Sequence, residues 1–457
     1  MISPHRGTTD AVPGYEHGPI RLERYAPVAF CQRVVPRRNF SDGGNVTSGG
    51  STNWFLAVAL HWTGGLAAAS FYLPFCGVKR WNWETYWLVG GFFSWIVAPL
   101  VFASLLVPDF WQAIHSAGVS TLFWTYFFGA LWGVGGLTFG LTMRYLGVGL
   151  GMAIALGYDT AVGTLSPPIF YGRFGALATH AYGEVILLGV LVCLAGIAVT
   201  GMAGKAKECE LPEAEKKKAV SEFHFTKGLL IATFSGVMSA CFNFALYAAA
   251  PIQKNAKMIL EAHHASNMWN GLPSLVVLLW GGFTANFIWC VILHLKNGSG
   301  RQYLAFTTNQ NENHIVATNP EHPGSSGSAG AGPIALRTAR VPLLNNYTFA
   351  ALAGVTWYLQ FFFYTMGQTK MPLAGKFSGW TLHMASIIIF ATLWGVILHE
   401  WKGTSRRTHR LITAGIIVLV LSTLIVGAGN YLKTRRVPAG QPAATSLLRN
   451  LRHKAGT

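Results

Sequence analysis

The strongest constraint in this sequence is where its charges are missing. No Asp, Glu, Lys or Arg occurs within residues 43–78, 85–108, 110–143, 185–204, 228–253, 262–295, 341–369, 377–399 or 411–432. Each run reaches the roughly 20 apolar residues that a helix needs to cross about 30 Å of hydrocarbon. A helix on the surface of a soluble protein would carry charge on its outer face every turn or two. With 51% hydrophobic and 11% charged residues, the composition also lies far from that of a soluble chain. These nine runs, with a tenth apolar stretch around Asp159, predict an all-α membrane protein with ten transmembrane helices, near 54–76, 86–107, 121–142, 146–170, 183–203, 228–250, 271–295, 346–366, 379–399 and 411–432.

The fourth segment is the least regular, with many glycines, Asp159 near its middle and Pro167-Pro168 at its end. Glycine and proline are tolerated in a spanning helix where neighbouring helices satisfy the freed backbone groups. Polar stretches divide the rest. Residues 1–50 form a polar, Arg-containing extension without the apolar core of a signal peptide, and residues 1 to about 45 read as an atypical addition. A charged linker at 204–227 separates a first five-helix half, 51–203, from a second, 228–432. No convincing internal sequence repeat accompanies that division. Within the second half, 297–345 is Asn-rich and then Gly/Ser/Ala-rich, the composition of a disordered loop. A basic tail, 433–457, closes the chain.

The formal net charge of +17 raises the question of nucleic acid. The basic residues sit in short clusters between apolar runs, which fits loops and the membrane surface, so no nucleic-acid partner is expected. Loops after the first, third, fifth, seventh and ninth segments hold 17 Lys/Arg, and the alternate loops hold five. The positive-inside rule then puts both termini outside the cytoplasm, although the two tails, with six Lys/Arg each, vote the other way. Five internal loops outweigh two ends. The six cysteines are scattered without a CxxC pair, so neither a disulfide framework nor a metal site is expected.

Ionisable and amide groups inside the hydrocarbon point to function. A charged side chain there costs several kcal/mol, so it is retained where it does something. Asp159 is the one carboxylate expected near a midplane, roughly equidistant in sequence from Arg144 and Arg173. A carboxyl able to load and release a proton is what a proton-coupled carrier requires, which makes Asp159 the coupling candidate. A hydrogen bond to Tyr158, Thr160 or another helix, or pairing with a basic group, is the structural alternative. His61, Asn243, Asn286, Gln360 and His383 also fall inside apolar segments. Amides bond sugar hydroxyls as donor and acceptor, and Trp or Tyr faces stack on sugar C–H surfaces. Gln360 lies among Trp357, Tyr358 and Tyr364. Helix–helix hydrogen bonding explains any one of these residues equally well; as a set, they suit a polar central cavity. Trp81, Trp83, Trp87, Trp111 and Trp401 read as interfacial anchors, and Glu84 and Glu400 as interfacial ion pairs.

Several blocks resemble one family. Ala68-Ala69-Ser70-Phe71-Tyr72-Leu73-Pro74-Phe75, then Lys79 and Trp81-Asn82-Trp83-Glu84-Thr85, is similar to the opening of bacterial L-rhamnose–proton symporters. So are Gly129-Ala130-Leu131-Trp132-Gly133, Gly140 to Gly147, Gly163-Thr164-Leu165 with Pro168-Ile169, Leu272-Pro273-Ser274, Gly281-Gly282 and Asn286. The most specific block is Trp357-Tyr358-Leu359-Gln360-Phe361-Phe362-Phe363-Tyr364, followed by Trp380, Leu382-His383-Met384 and Glu400-Trp401. The resemblance covers roughly 54–432. It implies ten helices of the drug/metabolite transporter type, built as two inverted five-helix repeats around a central site in the bacterial inner membrane. It also implies inward transport of a sugar with protons, powered by the proton gradient without ATP or a bound cofactor. His61, Tyr72, Trp357, Gln360 and His383 fall in matching segments, without a catalytic assignment to carry over. The tail at 1–50 and the 297–345 loop exceed the compact family form, and Asp159 stands where the family pattern has a neutral residue.

The expected function is therefore import of L-rhamnose or a closely related sugar, with the sugar, protons and the lipid bilayer as partners. The same fold could carry another monosaccharide, a sugar acid or an exported metabolite, because one hydroxyl contact can redirect specificity. An intramembrane transferase would need clustered acids and histidines. Only Glu261 with His263-His264 approaches that, and it lies in a short loop. No phosphate-cradling G-x-x-x-x-G-K-[ST] run occurs, which argues against an ATP-driven pump.

Overall fold

The computed structural model describes residues 53–146, 148–170, 172, 174–210, 225–309, 338–371, 373–399 and 401–435. The N-terminal extension, most of the charged linker, the middle of the 297–345 loop, most of the C-terminal tail, Arg173 and Glu400 lie outside those residues.

The longer helices are α1 (Trp54–Ser70), α2 (Trp83–Leu106), α3 (Val119–Leu146), α4 (Val148–Phe170), α5 (Ala181–Glu210), α6 (Thr226–Ala248), α7 (Leu272–Asn297), α8 (Leu343–Lys370), α9 (Gly379–Ile397) and α10 (Arg406–Arg435). Among the described residues, eight helical segments are long and apolar enough to cross a membrane. The two outside that set, α4 and α8, have 23 and 28 residues. They are long enough at about 1.5 Å per residue, but they carry polar groups in their interiors: Asp159, Thr160 and Thr164 on α4, Asn346, Gln360 and Gln368 on α8. Large apolar side chains point away from the protein along these helices, including Leu105, Leu191, Leu230, Ile288, Leu295 and Leu424. An exposed apolar band of that extent marks a lipid-facing surface.

Local signals explain the helix boundaries. Asn53 caps α1, its Oδ1 accepting from the Leu56 amide at 3.1 Å. A π-turn at Phe93–Val97 interrupts α2 just before Pro99, and α7 stops at Gly298 with φ 62°. The segment expected as a disordered loop, 297–345, has structure at both ends. A 3-10 turn, Ser299–Tyr303, follows α7, and β1 (Thr307–Asn309) pairs antiparallel with β2 (Thr338–Arg340) just before α8. The physical reason is anchorage: His294 bonds Ser299 and Tyr303, and the Tyr347 hydroxyl donates to the Tyr303 carbonyl.

Packing follows the small residues. α5 pairs with α10, α3 with α6 and α7, α1 with α8 and α9, α4 with α5, α6 and α9, α2 with α7 and α8, and α9 with α10. The α5/α10 pair is antiparallel, with Gly189 against Val426, Gly196 against Leu419 and Gly415 against Thr200. At the tightest crossings backbone meets backbone. A Cβ on Gly354 would stand 2.1 Å from the Gly90 carbonyl oxygen, and one on Gly129 2.1 Å from that of Leu278. Small residues allow such approach in lipid, where van der Waals packing replaces the hydrophobic drive between helices.

Two sequence expectations change here. Trp81 and Trp87 are not merely interfacial. Trp81 is buried against Tyr303 and Tyr347, and Trp87 stacks on Trp83 and donates to Asn286 Oδ1 at 3.0 Å. Glu84 is not an interfacial ion pair either. It is buried and accepts from neutral donors, because the turn after α7 folds over it.

Gly354→Ala is expected to destabilise the protein by roughly 1–3 kcal/mol, the usual cost of overpacking a close-packed interior. Thermal unfolding in detergent should show a clear drop in Tm. Gly136→Ala, where an added Cβ meets nothing within 4 Å, should show none.

Candidate functional site

On α8, Trp357, Gln360, Phe361, Tyr364 and Gln368 recur every three or four residues, which stacks them on one face. Tyr364 is the hub. Its ring packs edge-on against His61 of α1 (centroids 5.2 Å apart), His383 of α9 (5.2 Å) and Trp380 of α9 (5.6 Å). Its hydroxyl donates to Asn243 Oδ1 on α6 at 3.2 Å and accepts from Gln368 Nε2 at 2.8 Å.

Proline explains the position of Asn243. Pro167 has no N–H, so the carbonyl four residues earlier, Gly163, loses its helical donor. Asn243 Nδ2 supplies the replacement at 2.7 Å. A break in α4 thus calls for an amide on α6, and that amide in turn orients Tyr364 on α8.

Asp159 lies one turn before Gly163 and is buried. Trp380 Nε1 donates to its Oδ1 at 3.2 Å and contacts its backbone oxygen at 3.3 Å. Of the alternatives open from sequence, the hydrogen bond to another helix is the one present. Among the described residues no cation stands within ion-pair distance of the carboxylate. Close by, Thr164 and Thr381 share a hydrogen bond of 2.8 Å.

His61 Nδ1 faces the Ala57 carbonyl at 2.7 Å and therefore donates. That leaves its Nε2 buried and without a partner, as are both ring nitrogens of His383 and the Nε2 of Gln360. The Ser386 hydroxyl bonds the backbone oxygens of His383 and His61 and ties α9 to α1. This buried polar cluster, called the chamber below, takes a polar side chain from each of α1, α4, α6, α8 and α9.

Of the residues singled out from sequence, His61, Asp159, Asn243, Gln360 and His383 converge here. Asn286, Tyr72 and Trp357 do not. Asn286 bonds Trp87 and the Gly282 carbonyl. Tyr72 is half exposed beside Phe71, Phe75 and Trp87. Trp357 faces Phe71 across 4.1 Å and lines a narrow cleft with Trp87, Ser94 and Trp95. The cleft and chamber are joined by a chain of aromatic contacts, Trp357 to Phe361 (6.0 Å), Phe361 to Phe242 (4.6 Å) and Phe242 to Trp380 (5.5 Å). Sequence reasoning gave no role to Phe242, Gln368 or the Thr164–Thr381 pair; the three-to-four spacing from Trp357 was the available signal for Gln368. The His263 and Glu261 cluster separates, with His263 3.8 Å from Asp109 and Glu261 3.6 Å from Lys257, all on the surface.

Replacing Asn243 by Leu strands the Gly163 carbonyl and the Tyr364 hydroxyl, at about 1–3 kcal/mol for a buried group left unpaired. Adding Pro167→Ala restores a helical donor to Gly163. The double variant is therefore expected to recover part of the lost Tm, a non-additivity that a double-mutant cycle measures.

Known proteins are similar to this chain over most of its length. The family model described as L-rhamnose-proton symport protein matches residues 51–307 and 334–431. Proteins named L-rhamnose-proton symporter from Yersinia pestis (strain Pestoides F) and Yersinia pseudotuberculosis serotype O:3 are each 36% identical over 377 residues, covering 82% of this chain and 97% of the relative. One of the same name from Cronobacter sakazakii matches to the same identity and coverage.

Proposed function

Because the chain belongs to the L-rhamnose-proton symport protein family, we propose that it imports L-rhamnose, or a closely related sugar, together with protons across a bacterial inner membrane. It is a multi-pass membrane protein of a transporter family, and no chemistry of an enzyme is needed. The proton gradient supplies the energy, with no bound cofactor.

The observation that carries the reading is the set of orphaned groups in the chamber. His61 Nε2, both nitrogens of His383 and Gln360 Nε2 are buried without a partner. Buried polar groups are otherwise almost always paired, and sugar hydroxyls, which donate and accept, are suited to pair them. Tyr364 and Trp380 offer ring faces to the C–H side of the sugar. Trp357 lines the cleft, and Tyr72 and Asn286 each contact Trp87 of its wall. Asp159 is the proton-coupling residue: it opens on the same chamber through Trp380, so loading a proton alters the group that holds the Trp380 indole.

The architecture assigned to this function is ten spanning helices, α4 and α8 included, in two inverted five-helix repeats. Support comes from the packing. Exchanging α1–α5 for α6–α10 turns α1/α8 into α6/α3, α1/α9 into α6/α4, α3/α7 into α8/α2 and α4/α5 into α9/α10. It leaves α2/α7, α4/α9 and α5/α10 as themselves; the α3/α4 pairing departs from the exchange, since its counterpart α8/α9 is a much smaller contact. Glycine serves the same office in both halves: Gly65 of α1 meets Ser386 of α9 as Gly236 of α6 meets Ala155 of α4. In this arrangement the loops after α1, α3, α5, α7 and α9 face the cytoplasm. A reporter fused in the central linker should then be active only when its enzyme works inside the cell.

The deciding experiment is uptake of labelled L-rhamnose into proteoliposomes under an imposed proton gradient. Accumulation that collapses with an uncoupler is expected. No monosaccharide uptake in either direction would turn the reading toward an exported metabolite. Asp159→Asn should abolish uphill accumulation while leaving sugar exchange intact; unchanged accumulation would remove Asp159 from the coupling role. Gln360→Ala should raise KM about tenfold, the equivalent of one lost hydrogen bond of ~1.4 kcal/mol to the sugar.

A further inference from the structure

His61 of α1 has one ring nitrogen engaged and one free, and its partner decides which of them carries the proton. A backbone carbonyl can only accept, so the 2.7 Å contact with the Ala57 oxygen puts the proton on Nδ1. A neutral imidazole that donates through Nδ1 has its lone pair on Nε2. That nitrogen is buried, and among the described residues no group bonds it. His383, by contrast, has both ring nitrogens free, so either of them can present a lone pair. The Tyr364 hydroxyl and the Asn243 amide are already spent on each other, on Gln368 and on the Gly163 carbonyl. His61 Nε2 is thus an acceptor whose sense the fold has fixed and whose donor is missing.

Two glycines from other helices keep it so. Gly367 of α8 stands beside Nδ1. A Cβ there would lie 2.3 Å from Nδ1 and 3.3 Å from the Ala57 oxygen, against the hydrogen bond itself. Gly379, the first residue of α9, stands beside Nε2. A Cβ there would lie 2.9 Å from Nε2 and 2.3 Å from Gln368 Nε2. One bare backbone makes room for the bond that fixes the proton, and the other leaves the lone pair uncovered. Neither glycine has a positive φ, so no left-handed conformation calls for it, and glycine within a helix weakens that helix. What both positions share is the imidazole they leave space for.

We propose that His61 is a specificity-determining residue of the sugar site: its Nε2 accepts a hydrogen bond from one hydroxyl of the sugar, and Gly367 and Gly379 are positioning residues that hold it as an acceptor. The proposal rests on the reading of the chamber as the sugar site. An orphaned acceptor calls for a donor, so this position reads the O–H proton of the sugar rather than its oxygen. A buried group matched to one hydroxyl rejects an analogue that cannot complete it, because the group is then left unpaired. Fluorine in place of that hydroxyl keeps an electronegative atom of similar size but has no proton to give. Gln360 has the opposite sense, since its free Nε2 is a donor and calls for a lone pair of the sugar.

The test uses the full chain in proteoliposomes and L-rhamnose analogues with fluorine in place of the 2-, 3- or 4-hydroxyl. Each is measured as an inhibitor of labelled L-rhamnose uptake; where a variant no longer transports, displacement of labelled L-rhamnose from the purified protein gives the same ratio. For at least one analogue, binding relative to L-rhamnose should be about tenfold weaker or more in the wild type, and less than about twofold weaker in His61→Ala. Gly379→Ala, which covers Nε2, and Gly367→Ala, which displaces the Nδ1 bond, should lose the same penalty with His61 intact, and they serve if His61→Ala does not fold. Gly354→Ala, which crowds α8 against α2 away from the chamber, should keep the penalty, as should Gln360→Ala. A penalty that survives in His61→Ala, or in both Gly367→Ala and Gly379→Ala, overturns the proposal, and so does a wild type indifferent to fluorine at all three positions. With either result, uptake of L-rhamnose itself leaves the sugar reading standing. Absence of L-rhamnose uptake and binding in the wild type overturns both.

Discussion

The chain's hydrocarbon-facing helices leave a polar group one choice: find a partner within the protein or remain unpaired. That constraint organises the interior. Pro167 takes a donor from Gly163, Asn243 restores it, and the other end of the Asn243 amide holds the Tyr364 hydroxyl. Trp380 is tied to Asp159 in the same way. The residues that remain unpaired, on His61, Gln360 and His383, are therefore conspicuous. In a medium where an orphaned group costs several kcal/mol, their persistence makes sense if a hydroxylated cargo completes them during transport.

Close packing makes the chamber possible. Close approaches at Gly64 and Gln360 (α1/α8), at Gly65 and Ser386 (α1/α9), and at Gly236 and Ala155 (α6/α4) draw the five helices near enough for their polar side chains to meet.

Much of the helical layout was legible because the signal is crude and strong: charge disappears for about 20 residues wherever a helix is buried in lipid. α8 was legible from its missing charge, whereas α4, with Asp159 in its middle, was legible only as a glycine-rich apolar stretch of sufficient length between Arg144 and Arg173. Two features were misread in sequence. Glu84 and Trp81 lie beside basic residues at a segment end, which resembles an interface, yet the turn after α7 covers them. Nothing local in 82–87 announces a cover supplied by residues some 215 positions away.

Sequence by itself determined the class of protein, the helical segments, a set of eight candidate residues and, by resemblance, the family. Hydropathy and local spacing are properties of neighbours along the chain, and they suffice for those. Only the tertiary structure decided which polar residues share a space. It gathered His61, Asp159, Asn243, Gln360 and His383, while it placed Trp357 in the cleft and left Asn286 and Tyr72 beside the cleft residue Trp87. Helix rotation and crossing set that division, and both depend on which glycines meet across helices far apart in sequence.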